Sequence, residues 1–139
     1  MTYATLPDLV ARYGEDELVK LTDTNRSGVI DAGVLGQAIA DADSEIDSYL
    51  AVRYSLPLAS VPTALKRIAC DITRYRLYDN RAPEEIRKRY EDAVKWLAAV
   101  ANGSVGLGMP PAQAPAQSGG VMLIAGEARR CSRTTLEDF

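Results

Sequence analysis

Three long segments of this 139-residue chain carry apolar residues at helical spacing, and this periodicity restricts the fold more than any other feature. The clearest segment runs from residue 34 to residue 50, where acidic side chains fill the positions between the apolar ones. Its stripe consists of Val34, Leu35, Ala38, Ile39, Ala42, Ile46, Tyr49 and Leu50. We therefore predict an amphipathic helix of about five turns here.

Prolines mark the beginning of two further helices. The segment 53–62 contains two prolines, each of which biases the preceding residue toward extended backbone, so it ends the first long helix. Pro62 suits the first turn of a second helix, and Pro83 with two following glutamates suits the first turn of a third. Gly103 is a fitting end for that third helix.

Residues 5–22 carry weaker helical signals, which are interrupted at Gly14 and renewed by three acidic residues. They predict two short helices or one broken helix. No strand pattern of comparable length precedes residue 104. The predicted fold class is all-α: a small helical bundle of three main helices plus a short N-terminal helical pair, with a flexible, partly extended C-terminal tail.

A change of composition divides the chain after residue 103. We predict a helical domain over 1–103 and a flexible linker over 104–120, where Gly, Pro, Ala, Gln and Ser dominate. The last segment, 121–139, is too apolar and too varied to continue the linker. It fits a short strand and turn that pack on the helical domain, or a docking segment that orders on a neighbouring molecule.

The residue types present argue against an enzyme. The chain has no histidine, which removes the commonest general base and the commonest zinc ligand. Cys70 and Cys131 are expected to be free thiols, and no cofactor is expected. Apolar runs such as 121–125 are too short to cross a bilayer, and no secretory signal is visible at the N-terminus, so we expect a cytoplasmic protein.

The segment 23–34, "DTNRSGVIDAGV", resembles the first nine positions of a calcium loop. Asp23, Asn25 and Ser27 occupy ligand positions, but Val34 stands where such a loop needs a bidentate glutamate. The alternative is a tight turn between helices in which Asp31 caps the next helix. We favour the turn and expect no metal site.

Charge is distributed unevenly along the chain. Residues 1–60 hold ten acidic and four basic side chains, whereas residues 61–103 hold six acidic and nine basic ones. This asymmetry suits head-to-tail contacts between identical copies, or it reflects two solvated helix faces. The arginines of 67–81 suit contacts to phosphates, and its tyrosines suit stacking on bases. Alternatively, the arginines form a solvated face and the tyrosines belong to the core. Trp96 is either a core residue or an anchor at an oligomer contact.

Three stretches carry a family resemblance: "YATLPDLVARYGEDELVKLTD", "DADSEIDSYLAVRYSLPLASVP" and "ACDITRYRLYDNRAPEEIRKRYEDAVKWL". Together they resemble the small helical head-tail connectors of Mu-type phages and prophages, a family long labelled as of unknown function. The ending "RRCSRTTLEDF" is also similar to the basic, Phe-terminated tail of these proteins. The resemblance covers residues 2–103 and implies a structural virion protein, assembled in the bacterial host cytoplasm.

The resemblance implies a ring of identical subunits below the portal protein, which joins the DNA-filled head to a tail-side completion or terminator protein. DNA would pass through the channel only as cargo, no membrane would be involved, and no catalytic residue is implied. We expect the subunit and partner contacts to include Asp41, Asp43, Asp47, Arg74, Arg76, Arg81, Trp96, Arg129, Arg130 and Phe139. Reversing Arg76 and Arg81 to glutamate is expected to abolish ring assembly and to leave helicity intact.

Two other hypotheses remain at this point. A small helical nucleic-acid-binding or regulatory protein of a prophage would bind DNA in a salt-sensitive way and would not bind portal. A calcium-responsive module would show a calcium-dependent melting temperature that is lost in Asp23→Ala. Asp71, which has apolar neighbours, is expected to form a helix-helix ion pair with an arginine such as Arg53 or Arg74.

Overall fold

A computed structural model describes residues 1–110 of the chain. The helices are α1 (Leu6–Tyr13), α2 (Glu15–Thr22), α3 (Ala32–Leu50), α4 (Thr63–Tyr78) and α5 (Glu84–Asn102), and a short 3-10 helix (Asp79–Arg81) follows α4. No strand occurs within these residues. The prediction of an all-α fold with three main helices and a short N-terminal pair is confirmed.

Local side-chain chemistry places the helix ends where the sequence indicates them. Thr5 and Asp8 form a reciprocal capping box at the start of α1, with Asp8 Oδ2 accepting hydrogen bonds from the Thr5 N–H (3.0 Å) and hydroxyl (2.8 Å). Gly14 has a φ of 87° and separates α1 from α2, because few other residues adopt this backbone conformation. Gly103, with a φ of 90°, ends α5 in the left-handed region.

The core lies between α3, α4 and α5, and each of these helices contacts the other two. The predicted stripe of α3 supplies Leu35, Ala42, Ile46 and Leu50 to it, all nearly inaccessible to solvent. Helices α4 and α5 contribute Leu65, Ile68, Ile72, Ala93, Leu97 and Val100, and the N-terminal pair adds Leu9 and Leu18. Each large apolar side chain buried in this way contributes about 2 kcal/mol to folding.

Packing against the core continues past the predicted boundary at residue 103. Leu107 is buried, and its N–H donates a hydrogen bond to the Tyr54 hydroxyl (3.2 Å). The Val105 N–H reaches the Ala99 carbonyl (3.2 Å), and Met109 also packs on the core. The rest of the predicted linker, 111–120, and the predicted docking segment, 121–139, lie outside the described residues.

None of the helices in residues 1–110 has both the length and the apolar character needed to cross a membrane.

Candidate interaction surfaces

The loop 23–34 forms a hydrogen-bonded turn. One oxygen of Asp23 accepts from the Ser27 N–H (2.8 Å) and hydroxyl (3.1 Å), and the other accepts from the Gly28 N–H (2.8 Å). These donors, Gly28 first, lower the pKa of the Asp23 carboxyl. Asp31 caps α3 by accepting from the N–H groups of Gly33 and Val34. The predicted turn and cap are therefore confirmed.

Within residues 1–110, no three or more His, Cys, Asp or Glu side chains lie close enough together to hold a metal ion.

Glu17 on α2 is the acceptor of a cluster that ties α2 to α4. Arg74 donates two hydrogen bonds to one of its oxygens, from Nε (2.9 Å) and from a terminal nitrogen (2.7 Å), and the Tyr78 hydroxyl donates a third (2.9 Å). The Arg74 guanidinium also lies 4.5 Å from the centre of the Tyr13 ring. Only 18% of the Arg74 side chain and 22% of the Glu17 side chain are exposed, so this pair is part of the folded body.

Glu45 on α3 has the same role toward α4 and α5. It accepts hydrogen bonds from Arg76 (2.7 Å) and from the Tyr90 hydroxyl (2.8 Å), and the Tyr90 ring stacks on Tyr75 with 4.1 Å between ring centres. Burial and the Glu45 carboxylate raise the pKa of Tyr90 to about 12. Arg76 remains 41% exposed, so one side of this guanidinium still meets solvent.

Asp43 and Asp47 hold the N-terminal residues against α3. Asp43, of which 9% is exposed, accepts a hydrogen bond from the Tyr3 N–H (3.0 Å). Asp47 accepts from the Tyr3 hydroxyl and lies 3.6 Å from the N-terminal ammonium of Met1. Burial raises the pKa of the Asp43 carboxyl. Both carboxylates are thus used within the chain.

The other predicted contact residues lie in separate places. Asp41 is exposed on α3 and accepts a hydrogen bond from the Gln37 amide (3.0 Å). Arg81 is exposed in the 3-10 helix, beside Tyr78, and Trp96 is half-buried on α5. Arg129, Arg130 and Phe139 lie outside the described residues. The predicted set therefore does not form one surface in residues 1–110, and its role in contacts stays a prediction.

The expected ion pair between Asp71 and an arginine such as Arg53 or Arg74 is wrong. Arg74 bonds Glu17, and Asp71 accepts a hydrogen bond from the Tyr13 hydroxyl (2.8 Å). Tyrosine is a sufficient partner because its hydroxyl donates a charge-assisted bond and needs less desolvation than a second ion. Burial and Asp71 together raise the pKa of Tyr13.

Asp71 and Tyr13 lie in a cleft of about 400 Å³ that three arginines surround. Arg12 comes from α1, Arg67 from α4 and Arg89 from α5, and all three are exposed. Within residues 1–110, Arg12 and Arg67 form no ion pair shorter than 4 Å, and Arg89 pairs only with the exposed Glu85 (3.2 Å). Such an exposed pair contributes little, so Arg89 can exchange its partner.

The cleft continues into an adjoining space of about 260 Å³ with an apolar wall. Arg67, Asp71 and Arg89 line both spaces. Ile68, Ala93 and Trp96 form the apolar wall of the second, and Asp92 lies at its edge. We call the two spaces together the arginine cleft.

A second groove, of about 520 Å³, lies between the N-terminal half of α3 and the end of α4. We call it the acidic groove because it contains the exposed carboxylates Asp41 and Asp79, while its one arginine, Arg76, is already paired with Glu45. Val34, also exposed, forms part of its apolar lining. The two grooves share no residue.

Sequence reasoning missed the arginine cleft because its arginines are far apart along the chain. Arg12, Arg67 and Arg89 belong to three different helices, and no local pattern connects them. The clustered residues Arg74 and Arg76 gave the stronger sequence signal, but they turn toward glutamates of other helices. The acidic residues of α2 and α3, which include these two glutamates, were visible in the sequence, although their partners were not.

Comparison with known proteins gives a consistent result. The family described as "Bacteriophage Mu, Gp36" matches residues 3–125 of the chain. The "Gene product J" of Escherichia phage Mu is 40% identical over 120 residues, which cover 86% of this chain and 85% of that protein. The "Mu-like prophage FluMu protein gp36" of Haemophilus influenzae is 39% identical over 107 residues, 77% of this chain and 76% of that protein.

Proposed function

The chain belongs to the Gp36 family of bacteriophage Mu, and from this premise we propose that it is a head-tail connector of the virion. As a member of that family it is a phage or prophage protein. In the proposed role, copies of the chain form a ring below the portal protein and give a tail-side completion or terminator protein a place to dock. The role is structural and needs no catalytic group.

The observation that supports this proposal most is the separation of two charged grooves on one small body. The arginine cleft is formed by α1, α4 and α5, whereas the acidic groove is formed by α3 and the end of α4. A ring needs a heterologous contact, in which two different surfaces of the same chain meet. Grooves of opposite charge on different elements give the chain two distinct faces for its neighbours in a ring, whereas a symmetric dimer needs one self-complementary face.

The bonds between helices also suit a protein whose folded body must keep its shape in an assembly. Ion pairs and tyrosine hydroxyls connect α2 and α3 to α4 and α5, as Glu17 and Glu45 show. Within residues 1–110, every buried side-chain nitrogen and oxygen has a hydrogen-bond partner. Fully satisfied polar side chains of this kind rigidify the body and favour one arrangement of its helices.

The test is electron microscopy of particles made when the gene is interrupted in its parent phage. We expect DNA-filled heads beside separate, complete tails, and we expect the intact gene supplied from a plasmid to restore joined particles. Intact infectious particles without the gene would refute the connector proposal. Salt-sensitive DNA binding by the purified protein, without any affinity for portal, would favour the nucleic-acid-binding alternative.

A further inference from the structure

We infer that the arginine cleft binds segment 134–139, "TTLEDF", of a neighbouring copy. This inference rests on the proposed ring and identifies one contact within it. The segment lies outside the described residues, so its own chemistry and the geometry of the cleft carry the argument.

The charges of the two partners are complementary. Residues 134–139 contain Glu137 and Asp138 and no basic residue. The two spaces of the cleft are lined by three arginines and two carboxylates, Asp71 and Asp92, so arginines are in excess. Arg67 and Arg89 come from α4 and α5, and neither is used in a buried pair within residues 1–110. Arginine forms the strongest hydrogen bonds with carboxylates because its planar fork matches the two oxygens.

The apolar parts are complementary as well. In the segment, Leu136 and Phe139 flank the two acidic residues. In the cleft, Ile68, Ala93 and Trp96 form an apolar wall beside Arg67 and Arg89. The acidic pair of the segment, which lies next to a phenylalanine, therefore matches the arginine pair of the cleft, which lies next to a tryptophan.

The acidic groove is a poorer partner for the cleft than the segment is. Both grooves are concave, and two concave surfaces leave a gap that apolar and charged groups cannot bridge. The cleft of about 400 Å³ and its extension of about 260 Å³ are hollows into which side chains of a short peptide can insert.

The chain between the body and the segment is long enough for exchange between neighbours. Residues 111–133 reach at most about 80 Å when fully extended. A body of this size has a radius of gyration of about 13 Å, so an adjacent copy lies within that reach. In a closed ring each cleft would receive one segment, and the repeated contacts would reinforce one another.

The experiment uses Trp96, the only tryptophan of the chain, as a reporter inside the cleft. The recipient protein ends at residue 133 and keeps Trp96. The donor is the full chain with Trp96→Phe, which has no tryptophan signal of its own. Quenching of Trp96 fluorescence by acrylamide, a neutral quencher, is measured as donor is added.

We expect the donor to shield Trp96, so the quenching slope falls with donor concentration and reaches a plateau. A matched donor that also carries Glu137→Lys and Asp138→Lys should lose this effect, while a donor with Glu127→Lys, an acidic residue outside the segment, should keep it. Arg67→Glu in the recipient should abolish shielding by the unmodified donor. Shielding should return when this recipient meets the lysine donor.

A recipient whose quenching is unchanged by the donor, or is lowered equally by the lysine donor, overturns the inference. The same holds if only the full-length chain shields its own Trp96, independently of concentration, because the contact would then be internal. These measurements use purified protein without portal. Their failure leaves the connector proposal in place, whereas failure of the gene-interruption experiment leaves the measured docking unaffected.

Discussion

The glutamate clusters and the arginine cleft use similar residues for different purposes. Glu17 and Glu45 each accept hydrogen bonds from one arginine and one tyrosine of other helices, so their charges stabilise the fold. In the arginine cleft, Arg67 and Arg89 lie at the surface without a buried partner among residues 1–110. The partners of a charged side chain, and not the density of charge along the sequence, determine whether that side chain is available for contacts.

The largest expected effect comes from removing the acceptor of the first cluster. Glu17→Ala leaves Arg74 and the Tyr78 hydroxyl without their shared partner in a half-buried position, so we expect a loss of about 3 kcal/mol in the free energy of unfolding. Urea denaturation followed by circular dichroism measures it.

The matched control is Glu85→Ala, which removes a glutamate bonded to Arg89 at 3.2 Å but with 76% of its side chain exposed. It should change stability by no more than about 0.5 kcal/mol. Equal losses in the two variants would mean that burial does not distinguish the clusters from the surface pairs.

Arg76→Glu is expected to cost about 2 kcal/mol, because it replaces a charge-assisted hydrogen bond to Glu45 by repulsion between two carboxylates. Arg81→Glu, at an exposed position of the 3-10 helix, should stay within about 0.5 kcal/mol. The same urea measurement compares the two. A double reversal of Arg76 and Arg81 therefore tests stability as well as ring assembly, and equal effects of the single reversals would argue against a structural role for Arg76.

The Arg53 guanidinium packs beside Gly103 at the end of α5, so a substitution of this glycine tests that contact. A Cβ at Gly103 would meet the Arg53 guanidinium, and the φ of 90° disfavours any other residue. We expect Gly103→Ala to lower the free energy of unfolding by about 1 kcal/mol. Gly36→Ala, in the second turn of α3 with open space around it, should raise stability by about 0.8 kcal/mol. A thermal melt of each variant shows whether the two shifts have opposite signs.

A small effect at neutral pH is expected for Tyr90→Phe, which removes one hydroxyl from the Glu45 cluster and costs about 1 kcal/mol or less. The pKa of Tyr90 is raised from 10.0 to about 12, so the folded state favours the protonated phenol. This contribution is fully present below pH 10 and disappears as the pH rises through about 12. The stability gap between wild type and Tyr90→Phe should therefore close over that range, and a constant gap would contradict the assignment.

The helices could be predicted from the sequence because their signals are local. The stripe of α3, the proline before α4, the acidic start of α5 and the glycines at 14 and 103 each act within one or two turns. The turn of Asp23 and the cap of Asp31 could be predicted for the same reason.

Contacts between side chains of different helices could not be predicted from these local signals. The Tyr13–Asp71 bond joins residues 58 positions apart, and the Glu45–Tyr90 bond joins residues 45 positions apart. Which tyrosine meets which carboxylate depends on how the helices rotate and cross, and periodicity does not specify that. The cleft of Arg12, Arg67 and Arg89 was missed for this reason.

The charged side chains that hold the fold together and those left for contacts are two different sets of residues. Complementation of a phage that lacks the gene tests this most directly, with Arg67→Glu supplied from a plasmid and Arg87→Glu, an exposed reversal outside the arginine cleft, as the matched control. We expect both proteins to fold with wild-type stability, and we expect only Arg67→Glu to fail to yield infectious particles. Normal particle numbers with Arg67→Glu would contradict this expectation.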